Sequence, residues 1–255
     1  MSSASELLPG WRRETIAGHT VEIFEPPRAS EHGYTVIYLH GVHLKPLSDN
    51  RVYTELFARH GLRVVAPQTA RSWWSNRICR EFDPQVTAEQ YVRGSVMPFI
   101  QERFGAAPPR IALLGTSMGG QGALRFSFKY PAQFPIVAAL SPAIDHQLRY
   151  YEEGEEGTLA EMYDSPEAVR QDTATLHVHP LNWPRNMWFC CDPTDYRWHE
   201  STERLRSKLA ASGIPYDCDL ETSAGGHTWE YYNHMAPQAI EYIVNRLDRE
   251  RLRLV

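Results

Sequence analysis

The sequence predicts an α/β fold with a mostly parallel central sheet and helices on both faces. Three observations carry this reading. Short apolar runs at residues 34–39, 63–67, 111–114 and 135–140 are too uniformly apolar for half-exposed strands, and suit parallel strands covered on both sides. Stretches of helical periodicity separate them, so strand and helix alternate along the chain. A length of 255 residues, 42% apolar and 22% charged, suits one α/β domain spanning 1–255.

The elements follow in order. Residues 20–25 alternate as a strand that Pro26-Pro27 ends, as at a sheet edge, within an opening hairpin or meander. The strand at 34–39 runs into His40-Gly41-Val42-His43. Helical spacing predicts a helix over 50–60, stopped by Gly61, then the strand at 63–67. The loop at 68–83 holds Trp73-Trp74, which must either cover core or line a pocket. Residues 87–104 read as a helix opened by the capping box Thr87-x-x-Gln90, with Gly94 and Pro98 as points of kinking or division. Residues 105–109 turn the chain into the strand at 111–114. A helix then runs to Tyr130-Pro131, and the strand at 135–140 ends in Ser141-Pro142.

Residues 141–184, after the sixth strand, break the rhythm with acidic and aromatic content, and read as a partial lid or a surface insertion. A strand at 186–191, a helix at 198–212 ended by Gly213, and an alternating strand at 216–221 follow. A final helix at 228–254 carries Pro237 as a point of interruption. Ligands of such sheets bind beyond the carboxyl ends of the strands.

A net charge of −5 argues against nucleic acid as a partner, and the basic run from Arg246 to Arg253 alternates with Asp248 and Glu250 and reads as a solvated helix face. No apolar run of about 18 residues is present to cross a membrane. Residues 1–10 lack the basic and apolar regions of a secretory signal, so the expected location is the cytoplasm. Cys79, Cys190, Cys191 and Cys218 have no metal-ligand spacing and read as buried reduced thiols.

The chemistry centres on Gly115-Thr116-Ser117-Met118-Gly119, an apolar strand turning into a helix around a serine. Such a turn lifts the serine oxygen to the rim of the sheet, and glycines flank it because side chains there meet the neighbouring strand and helix. A serine hydroxyl needs a base, and the base an acidic partner that orients it. Both are found after later strands: Asp195 in Asp192-Pro193-Thr194-Asp195, preferred over Asp192, and His227 in Gly225-Gly226-His227-Thr228-Trp229. His199 and His234 fall within helices, and His40 and His43 follow a strand on the wrong side of the chain order for the base. Two backbone donors for a developing oxyanion are assigned to Met118, next to the serine, and Val42, where Gly41 permits close approach. His40 is assigned to shaping that loop. Trp73, Trp74 and Trp183 are candidate walls of a substrate pocket.

The stretch from Gly115 to Leu124, with Gly226-His227-Thr228-Trp229 and the His40-Gly41 loop, resembles the esterase D group of the α/β-hydrolases, which includes S-formylglutathione hydrolases, feruloyl esterases and tributyrin esterases. The resemblance covers about residues 34–245. It implies an α/β-hydrolase fold and cleavage of a small-molecule carboxylic ester or thioester through an acyl-serine, with no metal or organic cofactor. The group usually carries Gly-x-x-Asp before the triad acid. Here Asp192 stands in place of that glycine, and the acid aligns with Asp195. An acyltransferase on the same fold and a non-catalytic binding protein are the rival readings. The substrate and the oligomeric state are left open.

Overall fold

A computed structural model describes residues 7–253. The first six residues of the stretch read for a leader, and Leu254 at the expected end of the last helix, lie outside the described residues. Eight strands form one sheet: β1 (Trp11–Ile16), β2 (His19–Phe24), β3 (Thr35–Leu39), β4 (Arg63–Pro67), β5 (Ile111–Thr116), β6 (Ile136–Leu140), β7 (Asn186–Cys190) and β8 (Asp217–Asp219). Their order is β1-β2-β4-β3-β5-β6-β7-β8. The pairs from β4 to β8 are parallel, and β1–β2 and β2–β4 are antiparallel. The β1–β2 hairpin moves β2 off the edge where it was expected. Pro26 and Pro27 lie beyond Phe24 and remove no ladder donor, so β2 pairs on both sides and β1 takes the edge.

Successive side chains of the parallel strands enter two separate cores. Val36 and Tyr38 of β3 and Ala112 and Leu114 of β5 join the core that holds Tyr53 and Phe57 of α1 (Arg51–His60) and Tyr231 to Leu247 of the last helix. Ile37, Leu39, Ile111 and Leu113 join the opposite core, with Leu124 and Phe126 of the helix after β5 and Leu205 of the helix after β7. Burial on both faces explains the lack of alternation in the apolar runs.

Residues 87–104 form α2 (Ala88–Tyr91), a π-helical turn (Val92–Val96) and α3 (Met97–Phe104) without a break. The capping box at Thr87 and Gln90 is present. The widened turn lies just before Pro98, which has no N–H to donate to the carbonyl of Gly94. α4 (Met118–Lys129) follows β5. Residues 141–184 contain α5 (Gln147–Glu153), α6 (Thr158–Met162), α7 (Pro166–Arg170) and a 3-10 turn (Ala174–His177). They bury Leu159, Tyr163, Val169 and Ala174 in the core. α8 (Tyr196–Ala211) begins two residues before the predicted start. β8 is shorter than 216–221, because the Asp219 carboxylate accepts the N–H groups of Glu221 and Thr222 and turns the chain. α9 (Trp229–Leu252) runs through Pro237, whose ring faces solvent. No helix of the described residues is long and apolar enough to cross a membrane. Three of the four free cysteines are buried, and Cys218, on the edge strand β8, is half-exposed, contrary to the reading of all four as buried.

Two buried histidines set a pH signature. Desolvation lowers His40 and His146 from 6.5 to about 4, outweighing their hydrogen bonds to the carbonyls of Gly41 and Ile144. The unfolded chain therefore takes up these protons before the folded one, so this stability is complete above about 6.5 and is lost as pH falls toward about 4. Urea unfolding midpoints should fall across that window. In His146→Gln the fall should be shallower than in the parent.

Candidate active site

β4 lies to one side of β3 and β5 to the other, so the chain reverses direction across the sheet at the β3–β5 pair. That reversal leaves a crevice at the carboxyl ends of the two strands. The His40-Gly41 loop leaves β3 there, and Ser117 leaves β5.

Ser117 has φ 55° and ψ −119°, a strained conformation for a residue with a side chain. The turn can be this sharp because glycines stand where backbones meet. A Cβ on Gly115 would collide with the Gly119 carbonyl, and one on Gly119 with the Leu39 carbonyl. Gly41 lies against Ser117 itself, where an added Cβ would stand 3.3 Å from the serine Cβ. Ser117 N–H donates to the Leu140 carbonyl at 2.9 Å and its own carbonyl accepts from Ala143 at 3.1 Å, which ties the turn to the end of β6.

His227 Nε2 lies 2.8 Å from Ser117 Oγ, and its Nδ1 lies 2.6 Å from Asp195 Oδ2. Asp195 is buried at the start of α8, and the Cys191 thiol donates to the same Oδ2 at 3.7 Å. With Nδ1–H directed to Asp195, Nε2 is free to accept the serine proton.

Asp192 is completely buried and serves the neighbouring loop. Its Oδ1 accepts from Thr194 N–H at 2.8 Å, Thr194 Oγ1 at 2.8 Å and Ser223 Oγ at 3.0 Å. Its Oδ2 accepts from the N–H groups of Ala224 at 2.6 Å and Gly226 at 2.9 Å. Burial alone would raise this carboxyl, but the N–H groups of Thr194, Ala224 and Gly226 hold it well below the usual range. One carboxylate thus joins the segment carrying Asp195 to the turn carrying His227, where Gly225 and Gly226 have φ 99° and 70°. In the sequence Asp192 stands only as a rival acid. Its substitution for a glycine was the available signal.

His40 is fully buried. Its Nδ1 donates to the Gly41 carbonyl at 2.9 Å, and its Nε2 accepts from Thr69 N–H at 3.1 Å. Both nitrogens are therefore committed to the loop and the ring stays neutral. Trp74 Nε1–H donates to the His40 carbonyl at 3.1 Å, and its side chain fills the space left by Gly122. Trp74 is thus a brace behind the loop, not a pocket wall as expected, because Gly122 gives its ring a seat inside the core. Trp183 is half-buried against the core and does not line the cleft. Trp73 does line it, stacked 4.8 Å from His146.

A buried ion network anchors α4. Arg125 reaches Glu89 at 2.5 Å and Asp172 at 2.7 Å, and Asp172 also accepts from Tyr163 at 2.8 Å. These contacts tie the helix after the serine to α2 and to the 141–184 segment.

Ser117 and His227 lie between two recesses. The wider, about 270 Å³, is also lined by Val42, His43, Trp73, Ala143, Arg149, Asp195, Arg197 and Trp198. The narrower, about 80 Å³, is lined by Thr116, Trp229 and Tyr232 together with the Gly41–Lys45 loop. Tyr38 OH, 2.9 Å from Thr116 Oγ1, braces that narrow side from beneath. Arg149, Arg197 and Trp198 were not anticipated, since pocket membership across distant segments leaves no local pattern. Among the described residues the Val42 N–H makes no hydrogen bond, and Met118, the first residue of α4, has no intrahelical acceptor for its own.

The eight-stranded sheet and the serine at its strand-to-helix turn define an α/β-hydrolase. The family model described as "Putative esterase" matches residues 17–242, and the chain belongs to that family: it is an esterase. An acetyl esterase from Caldicellulosiruptor saccharolyticus is 25% identical over 240 residues, covering 86% of each chain. An S-formylglutathione hydrolase from Bos taurus is 27% identical over 108 residues, 35% of this chain and 38% of that one. Among solved structures, an S-formylglutathione hydrolase from Agrobacterium tumefaciens superposes with a TM-score of 0.75 at 15% identity, covering 95% of this chain and 98% of its own, a likeness of fold.

Asp192→Ala leaves the buried Gly226 N–H and the half-buried Ala224 N–H without their acceptor, so it should lower stability by about 2–3 kcal/mol and reduce ester turnover. Equilibrium denaturation beside an ester assay on the same preparation reads both effects.

Proposed function

We propose that the protein hydrolyses a carboxylic ester or thioester through an acyl-serine intermediate. The observation that carries this is the unbroken line from Ser117 Oγ through His227 to Asp195, with contacts of 2.8 and 2.6 Å. Ser117 Oγ attacks the acyl carbon while His227 Nε2 takes its proton. Asp195 holds the imidazole in the tautomer that leaves Nε2 unprotonated, and balances the charge of the imidazolium that forms. The oxyanion of the tetrahedral intermediate is held by the N–H groups of Val42 and Met118. His227 then gives its proton to the leaving oxygen or sulfur, and the carbonyl reforms as the acyl-serine. Water enters, loses a proton to His227, and attacks the same carbon. Collapse of the second intermediate returns the proton to Ser117 Oγ and releases the acid.

The supporting backbone does not rearrange in this scheme. His40, neutral with both nitrogens engaged, takes no part in proton transfer.

A fluorophosphonate probe should label the native protein and fail to label Ser117→Ala; equal labelling of both would end the reading. Asp195→Asn should lower kcat by about 10⁴-fold through loss of the correct tautomer, far more than Asp192→Asn. Val42→Pro, which removes a single N–H, should cost about 10²–10³ in kcat with Ser117 labelling retained at a slower rate.

A further inference from the structure

Ser117 opens onto two recesses of unequal size and different lining. The narrow one leaves about 80 Å³ between Thr116, Trp229 and Tyr232, room for a short chain. The wide one presents two guanidinium groups beside Trp73 and Trp198. These arginines come from separate segments: Arg149 from α5 in the 141–184 excursion, and Arg197 from the first turn of α8, two residues after Asp195.

Both are held from behind. Arg149 donates from Nε and Nη2 to Glu153 Oε1 at 3.2 and 2.8 Å, and from Nη1 to Glu152 Oε2 at 3.3 Å. Arg197 donates to both oxygens of Glu152, from Nη1 at 2.9 Å to Oε2 and from Nη2 to Oε1. Glu152 and Glu153 do not line the cleft, whereas both arginines do. A guanidinium carries five N–H donors. Arg149 commits three and Arg197 two in these contacts, so each keeps donors for a further acceptor. Arg197 also lies 5.6 Å from the centre of the Trp198 ring, which steadies its plane. A fork already fixed by a carboxylate loses little freedom on taking a second one.

We infer that Arg149 and Arg197 form a carboxylate-recognition subsite in the wide cleft, selecting esters whose leaving group is anionic. This rests on the acyl-serine reading above. The short acyl group occupies the narrow recess, and the larger alcohol or phenol half lies along Trp73 and Trp198 with its carboxylate against the two forks. The leaving group departs first, and the wider recess gives it a path out while the acyl group stays on Ser117. Glu152, the counter-ion shared by both arginines, tempers the attraction and aligns the forks.

The test compares 4-acetoxybenzoate with its neutral methyl ester, reading the ratio of kcat/KM for the two; comparing that ratio between variants cancels intrinsic reactivity. Arg149→Gln and Arg197→Gln should each lower the anionic-to-neutral ratio by about tenfold, the scale of a hydrogen bond to a charged group. Glu152→Gln should raise it, since both arginines lose their shared counter-charge, and added salt should lower it in the parent protein. General loss of structure would not move the ratio in opposite directions in variants of one cluster. A second pair, mono-p-nitrophenyl succinate and p-nitrophenyl butyrate, places the carboxylate on the acyl side and should show no dependence on either arginine. A ratio unchanged in both arginine variants overturns the subsite, and arginine dependence confined to the succinate pair overturns its assignment to the leaving group. Turnover of all four esters that persists in Ser117→Ala would instead overturn the acyl-serine reading.

Discussion

The approach of the α4 backbone at Gly119 to the carbonyl of Leu39 is the constraint on which the site depends. It brings the helix after β5 against the end of β3, with no space for even one methyl group between them. Ser117, two residues earlier, is thereby driven into a conformation that its side chain disfavours, with its hydroxyl above the rim of the sheet. The same contact brings the His40-Gly41 loop beside the serine, so the proposed nucleophile and the proposed oxyanion donors share one local packing solution. Strain at Ser117 persists because the surroundings over-determine it: Leu140 and Ala143 bind its backbone, Trp74 supports the loop across from it, and Arg125 anchors the helix in a buried ion network.

The other half of the constellation is built with a different device. His227 stands on a turn with two consecutive glycines in the left-handed region, a segment with little stiffness of its own. Asp192 supplies the missing rigidity by gathering donors from Thr194, Ser223, Ala224 and Gly226 around one buried carboxylate. The two acids after β7 thus have separate tasks within four residues: Asp192 fixes where the turn lies, and Asp195 meets the imidazole on it. The walls of the wide cleft are distributed more widely still, coming from the β3 loop, the tryptophan loop, α5 and the start of α8.

Much of this was legible in the sequence because it depends on short-range patterns. Buried parallel strands announce themselves as unbroken apolar runs, the α4 turn as glycines around a serine, and Thr87-x-x-Gln90 as a cap whose reciprocal hydrogen bonds are present. The glycine-flanked turn marked Ser117, places after later strands marked Asp195 and His227, the resemblance to the esterase group set the acid at Asp195, and the fold brings those three side chains into one line. Where the reading departed from the structure, a tertiary contact intervened. β2 acquired a second neighbour through the β1 hairpin, and the solvent-facing ring of Pro237 left α9 continuous.

The sequence by itself determined the α/β class and the strand-to-helix serine turn, which follow from periodicity and glycine sterics, and it marked His227 by order along the chain and Asp195 by its place after a strand together with the resemblance to the esterase group. Only the tertiary structure decided which tryptophan faces the cleft. Trp73 and Trp74 are adjacent, the same residue type and nearly equal in φ, yet one stacks on His146 beside the cleft and the other fills the hollow at Gly122. It also turned Asp192 from a rival acid into the tie of the histidine loop, and gathered Arg149 and Arg197 at one recess. The reason is the same in each case: these roles are set by partners tens of residues away, and no local property of the chain records which partner will arrive.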